Sequence, residues 1–170
     1  MSDAQLIKQI FDCLEVIHFS GLQQDSYCIW YSDEAEDGFL TQAGRLLTFE
    51  DENAALEFLR SNTTYREPVA TTIYDVNAIE QMMDRQQPFD ACMTLEFWNI
   101  AGDLANSVNA SFQGNLKDAL TDHIYQKLFY GNNLPEINTS GRKYTPEFTE
   151  EEYTKLMDIL ADGVDLINRV

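Results

Sequence analysis

A change of pattern half-way along this chain constrains its fold more than any other feature. Short runs rich in aromatic and β-branched residues lie before residue 75. Beyond it, apolar residues recur at helical spacing and no strong strand run follows. The run 27–31 (Tyr-Cys-Ile-Trp-Tyr) reads as a strand. A polar acidic turn follows, then runs at 38–41 and 45–49 with Gly44 turning between them. Together the three runs predict a small antiparallel meander. Residues 69–74 (Val-Ala-Thr-Thr-Ile-Tyr) predict a fourth strand.

Helices are announced by their caps. Ser2 and Gln5 form a capping box before Leu6, Ile7, Ile10, Phe11, Leu14 and Ile17, a helical stripe ended by Gly21. Asp51 caps a helix with Ala54, Ala55, Phe58 and Leu59 inward. Asp75 caps a short one with Val76, Ile79, Met82 and Met83 inward, and Pro88 then breaks the chain. Asp90 caps a long helix holding Cys92, Leu95, Trp98, Ile100, Leu104 and Val108. Asn115 caps another, with Leu116, Leu120, Ile124, Leu128 and Phe129, ended by Gly131 at C′. Thr149 and Glu152 form a capping box at the last helix, with Phe148 in the staple position. This order predicts an α+β fold. A small, mainly antiparallel sheet from the N-terminal half packs with several helices, and the C-terminal half is mostly helical. The length predicts a single domain over residues 1–170.

Composition bears on function through charge. The chain has 29 Asp and Glu against 11 Lys and Arg, a net charge of −18. Acids outnumber bases in both halves and no acidic tail exists, so the carboxylates belong to folded surface. Such a field steers cationic partners and repels phosphates, which argues against direct binding of nucleic acid or anionic membrane. Many acidic proteins carry their charge only for solubility. At 44% hydrophobic, with ten Phe, eight Tyr and two Trp, the chain has ample apolar material for a core. Cys13, Cys28 and Cys92 match no zinc or redox spacing and read as reduced, buried, small hydrophobes. Residues 1–4 lack a basic signal-peptide region, and no apolar run nears the ~20 residues that span a bilayer. The predicted location is the cytoplasm.

Motifs for chemistry are missing from the sequence. His18 and His123 are the only histidines and lie far apart, so no zinc spacing arises. The acids around Asp33 do not follow the calcium-loop pattern. No Gly-x-Ser-x-Gly elbow, P-loop or dinucleotide fingerprint occurs. Asp122 and His123 are adjacent on a helix and point to different faces. The expectation is a protein that is not an enzyme, with no catalytic residues, metal or cofactor.

Two groups of acids are candidates for contact with a partner. Asp33, Glu34, Glu36 and Asp37 crowd the turn between the first two strand runs, flanked by Tyr31 and Phe39. Their mutual repulsion would be relieved by a cationic partner, although turns are polar in any case. In the last helix, at roughly 100° per residue, Tyr153, Leu156, Leu160, Val164 and Ile167 share one face. Glu151, Asp158, Asp162 and Asp165 line up on the opposite face, with Lys155 and Arg169 nearby. A solvated face of an amphipathic helix gives the same pattern. Glu50, Asp51 and Glu52 form a third group, for which the helix dipole is sufficient reason.

Residues 124–135 (Ile-Tyr-Gln-Lys-Leu-Phe-Tyr-Gly-Asn-Asn-Leu-Pro) and 144–152 (Tyr-Thr-Pro-Glu-Phe-Thr-Glu-Glu-Glu) carry a family likeness. So does the strand–turn–strand–helix run 39–59, with Gly44 and Leu47-Thr48-Phe49. The pattern resembles bacterial immunity proteins encoded beside contact-dependent growth-inhibition toxins. It extends over about half the chain. The resemblance implies a protein that binds its cognate toxin domain, commonly a nuclease, and blocks its active site or substrate surface. It carries over no catalytic residue. The partner it implies is a basic toxin domain, which an acidic inhibitor complements. The alternative is a nucleic-acid mimic or adaptor that binds a basic regulatory protein. A carboxylate-based, metal-dependent enzyme is the third class. The sequence leaves the oligomeric state open.

Overall fold

The structure, a computed structural model, describes residues 11–84, 89–139 and 141–170. The chain divides into two compact units. Among the described residues, one comprises 11–77 with 103–110 and residue 170; the other comprises 78–84, 89–102, 111–139 and 141–169.

The first unit is built on a mixed sheet. Its strands are β1 (Cys13–Ser20), β2 (Ser26–Ser32), β3 (Asp37–Phe39), β6 (Thr48–Phe49) and β7 (Ala70–Asp75), in the order β3-β2-β1-β7. β1 pairs antiparallel with β2, Val16 opposite Ile29, and parallel with β7, Val16 opposite Thr71. β3 and β6 both pair antiparallel with β2, Phe39 opposite Trp30 and Thr48 opposite Cys28. Between them β4 (Thr41–Gln42) and β5 (Arg45–Leu46) form a separate hairpin. Its tip is Ala43-Gly44, both with positive φ (52° and 77°), as a two-residue I′ turn requires. The expected meander is therefore folded back: the third run returns to β2 instead of pairing with the second along its length.

The largest departure from the sequence reading is β1. Leu14 and Ile17 were expected on a helix, and they lie on a strand. The reason is burial on both faces. Leu14 and Val16 point to one side and Ile17 and Phe19 to the other, and all four are buried. A central strand of this kind is nearly continuous in apolar residues, which imitates helical spacing when read through Leu14 and Ile17. The Ser2–Gln5 capping box and Leu6, Ile7 and Ile10 lie outside the described residues, as does Pro88.

One sheet face carries Phe11, Leu14, Val16, Ile29, Tyr31 and Leu40, packed with Ala55 and Leu59 of α1 (Glu52–Asn62). Asp51 caps α1 as expected, accepting from the Ala54 N–H at 2.8 Å. On the other face Phe19 meets Phe39 and Tyr74. Helix α2 (Val76–Met82) follows β7 directly.

The second unit is helical. Its elements are most of α2, α3 (Ala91–Ser107) as far as Gly102, a 3-10 turn (Gln113–Asn115), α4 (Ala119–Gly131) and α5 (Glu150–Arg169). Asp90 caps α3 through the Cys92 and Met93 N–H groups. Its core includes Phe97, Ile124, Leu128, Leu156, Ile159 and Leu160, all almost fully buried. At Gly163 the helices α3 and α5 approach closely: a Cβ there would stand 2.9 Å from Phe97 Cε1. The cap of α4 is Asp118, which accepts from the Thr121 N–H at 2.9 Å; Asn115, the expected cap, lies in the 3-10 turn. Leu116 is correspondingly exposed. Gly131, expected at C′, is instead the last residue of α4, and the positive φ (53°) falls on Asn133. Cys13, Cys28 and Cys92 are all free, and only Cys28 is buried: Cys13 is half-buried and Cys92 exposed, so both depart from the expected core thiols.

The architecture is α+β, a mixed sheet from the N-terminal half with helices and a helical C-terminal half. No helix among the described residues is long and apolar enough to cross a membrane.

Candidate partner-binding surface

The acidic turn between β2 and β3 is held by one of its own acids. Asp33 Oδ1 accepts from the N–H groups of Ala35 (2.8 Å) and Glu36 (3.0 Å). Its own N–H donates to the Glu36 carbonyl at 3.1 Å. This Asx-type closure fixes the backbone and turns Glu34, Glu36 and Asp37 outward, and all three are exposed. Asp33 is half-buried, so its part is to shape the turn.

Two further groups brace the cluster. The Tyr31 hydroxyl donates to Glu36 Oε1 at 3.0 Å. Burial drives this phenol far above its ordinary range, and the hydrogen bond to Glu36 with the charges of Glu36, Asp33 and Asp37 drives it further. Tyr31 therefore remains a donor at any physiological pH. The second brace is the last turn of α3, which belongs to the same unit. Ser107 Oγ accepts from the Phe39 N–H at 2.8 Å, and Asp103 Oδ2 accepts from Trp30 Nε1 at 2.9 Å. Gly38 admits this contact, because a Cβ there would lie 2.9 Å from Ser107 Oγ.

Asp103 is a site residue that the sequence reading missed. Burial raises its pKa, the Trp30 hydrogen bond lowers it, and the charge of Asp37 raises it again, for a net rise. A carboxyl with a raised folded-state pKa takes up its proton more readily in the folded state. It costs stability as pH rises from the unfolded value near 3.8 through the folded one. Asp103→Asn keeps an acceptor for Trp30 and removes the charge. It is expected to melt above the parent at pH 7 and level with it near pH 3. A variant less stable than the parent at both pH values would contradict this.

The acids on α5 are only partly what their spacing suggested. Glu151, Asp158 and Asp165 are exposed. Asp162 is half-buried and accepts from the Gln113 N–H at 2.7 Å, while Lys155 Nζ donates to Gln113 Oε1 at 3.2 Å. The 3-10 turn packs onto this side of the helix and takes Asp162 from the ridge. The opposite face behaves as expected: Leu156, Leu160, Val164 and Ile167 are buried.

No protein-family model, curated protein or solved structure matches the chain. The turn acids belong to the first unit and the α5 acids to the second. Among the described residues no group of three or more His, Cys, Asp or Glu is arranged to hold a metal ion.

Proposed function

We propose that the protein is an immunity-type inhibitor, acting in the cytoplasm, that neutralises a basic toxin domain by tight stoichiometric binding. The observation that carries this reading is the β2–β3 turn. Three exposed carboxylates, Glu34, Glu36 and Asp37, are displayed on a backbone that Asp33 and Ser107 hold in place, and the Glu36 carboxylate itself accepts from the Tyr31 hydroxyl. Concentrating like charge on one turn costs stability, and an ordered display lowers the entropic cost of binding. A nuclease surface, basic because it holds phosphates, is the natural complement. The net charge of −18 adds long-range attraction for the same class of partner. Glu151, Asp158 and Asp165 offer a second acidic face on α5, with Asp162 as its internal anchor.

The test is co-expression with the product of the adjoining open reading frame, followed by purification through a tag on this chain. The expected result is a one-to-one complex with a basic protein that dissociates only at high salt. An adjoining product that is acidic, or that does not co-purify, would count against the inhibitor reading.

A further inference from the structure

The second unit exposes an apolar groove that the acidic clusters do not explain. Phe129, Tyr130, Leu134, Ile137 and Tyr144 are large hydrophobic residues left exposed, and all five line one cavity of about 360 Å³. A second cavity of about 490 Å³ adjoins it through the shared walls Asn133 and Tyr144, and adds Phe89, Pro146, Phe148 and Tyr153. Volumes of this size suit large side chains. Apolar exposure so concentrated marks contact surface.

Hydrogen bonds of one side chain link the walls of the groove. Asn133 Oδ1 accepts from the Tyr144 N–H (2.6 Å) and from Asn138 Nδ2 (3.1 Å). Its Nδ2 donates to the carbonyls of Gly131 (2.7 Å) and Tyr144 (2.9 Å). One side chain thus ties the end of α4 to the segment before α5. Its left-handed backbone (φ 53°), a conformation that Asn tolerates, is part of the arrangement.

Charge in the groove runs against the rest of the molecule. The first cavity contains Arg142 and no carboxylate, and the second contains Lys143. These residues are the only adjacent basic pair in the sequence. The one acid in the walls, Asp90, is committed to capping α3. Asn132, which also lines the second cavity, has a buried Oδ1 with no hydrogen-bond partner among the described residues.

We infer that this groove binds an extended segment of a partner protein that presents large apolar side chains with carboxylates beside them. The apolar side chains enter the two cavities, and the carboxylates face Arg142 and Lys143. The inference is independent of the inhibitor reading, because it rests on other residues and requires an acidic segment, not a basic surface.

The test titrates three peptides into the full isotope-labelled chain and follows its amide resonances. The probes are acetyl-Phe-Glu-Leu-Asp-amide, acetyl-Phe-Lys-Leu-Lys-amide and acetyl-Ala-Glu-Ala-Asp-amide. The first is expected to shift the amides of Tyr130, Leu134, Ile137, Lys143 and Tyr144, with a Kd on the order of 1 mM. Each of the others should bind at least about tenfold more weakly, a difference of about 1.4 kcal/mol. Ile137→Ser replaces an exposed side chain, so it should keep the parent melting temperature and lose most of the shift. Equal binding of the lysine peptide, shifts confined to other residues, or no shift by ~10 mM would overturn the inference.

Discussion

Replacing Glu152 with Gln is expected to destabilise the protein by about 3 kcal/mol, in the range measured when one partner of a buried ion pair is removed. Glu152 is 4% exposed and gathers several partners. Lys127 Nζ reaches both its oxygens, at 2.8 and 2.7 Å. The Thr149 N–H donates to Oε2 at 2.7 Å, and His123 Nδ1 lies 3.2 Å from Oε1. The Glu152 N–H closes the capping box on Thr149 Oγ1 at 3.3 Å. One carboxylate therefore starts α5 and ties it to α4. Glutamine retains an acceptor for Thr149 and leaves the Lys127 ammonium, itself mostly buried, without its counter-charge. At the usual scaling a unit of this size should melt about 10 °C lower or more. Combining Glu152→Gln with Lys127→Met should recover much of the loss, because the uncompensated charge is gone. Thermal melts of the two single variants and the double variant check this. A double variant as unstable as the sum of the singles would mean that the pair is not coupled.

The same carboxylate sets a pH limit. Hydrogen bonds from Lys127 hold it below the ordinary glutamate value of 4.5, against the effect of burial, with help from the Thr149 N–H and the charges of Lys127 and His123. A depressed folded-state pKa gives stability that is complete above the unfolded value and is lost as pH falls through the folded one. The gap between parent and Glu152→Gln should accordingly close in acid, below pH 4.5.

The second large effect concerns capture. Reversing Glu34, Glu36 and Asp37 together to Lys is expected to lower the association rate with a basic partner by about tenfold or more at low salt. Asp33 must be left intact, since its side chain builds the turn, and Tyr31, which loses its Glu36 acceptor in the reversal, is changed to Phe in the parent, the variant and the control alike. The control reverses three exposed acids elsewhere in the chain, Glu57, Glu67 and Glu80, which changes net charge equally. If local display matters, the control slows association much less. Above ~0.5 M salt the parent and both variants should converge, because screening removes the steering. Equal slowing by the control would reduce the turn to one contributor to overall charge.

Local signals were legible where the chain answers to itself. Asp51, Asp90 and the Thr149–Glu152 box are caps because each side chain satisfies N–H groups only two or three residues away. The apolar face of α5 follows from period alone. What escaped the sequence depends on distant neighbours. β1 looks helical until it is known to be a central strand, paired at its two edges with β2 and β7 and buried on both faces. Asp162 looks like part of an exposed ridge until the Gln113 N–H is found beside it. Asp103 gave one usable signal, a carboxylate between the apolar pairs Ile100-Ala101 and Leu104-Ala105; its Trp30 partner lies seventy-three residues away and nothing local indicates it. The groove residues 129–144 were read as helix end and loop. No period can show that Asn133 gathers them around two cavities.

The most direct measurement is growth of cells that express the adjoining open reading frame, with and without this chain. The account requires that the frame alone arrests growth, that the parent chain restores it, and that the Glu34, Glu36 and Asp37 reversal restores it poorly while remaining folded. Normal growth with the frame alone, or equal rescue by the reversed variant, would contradict the claim that this acidic turn captures a toxin.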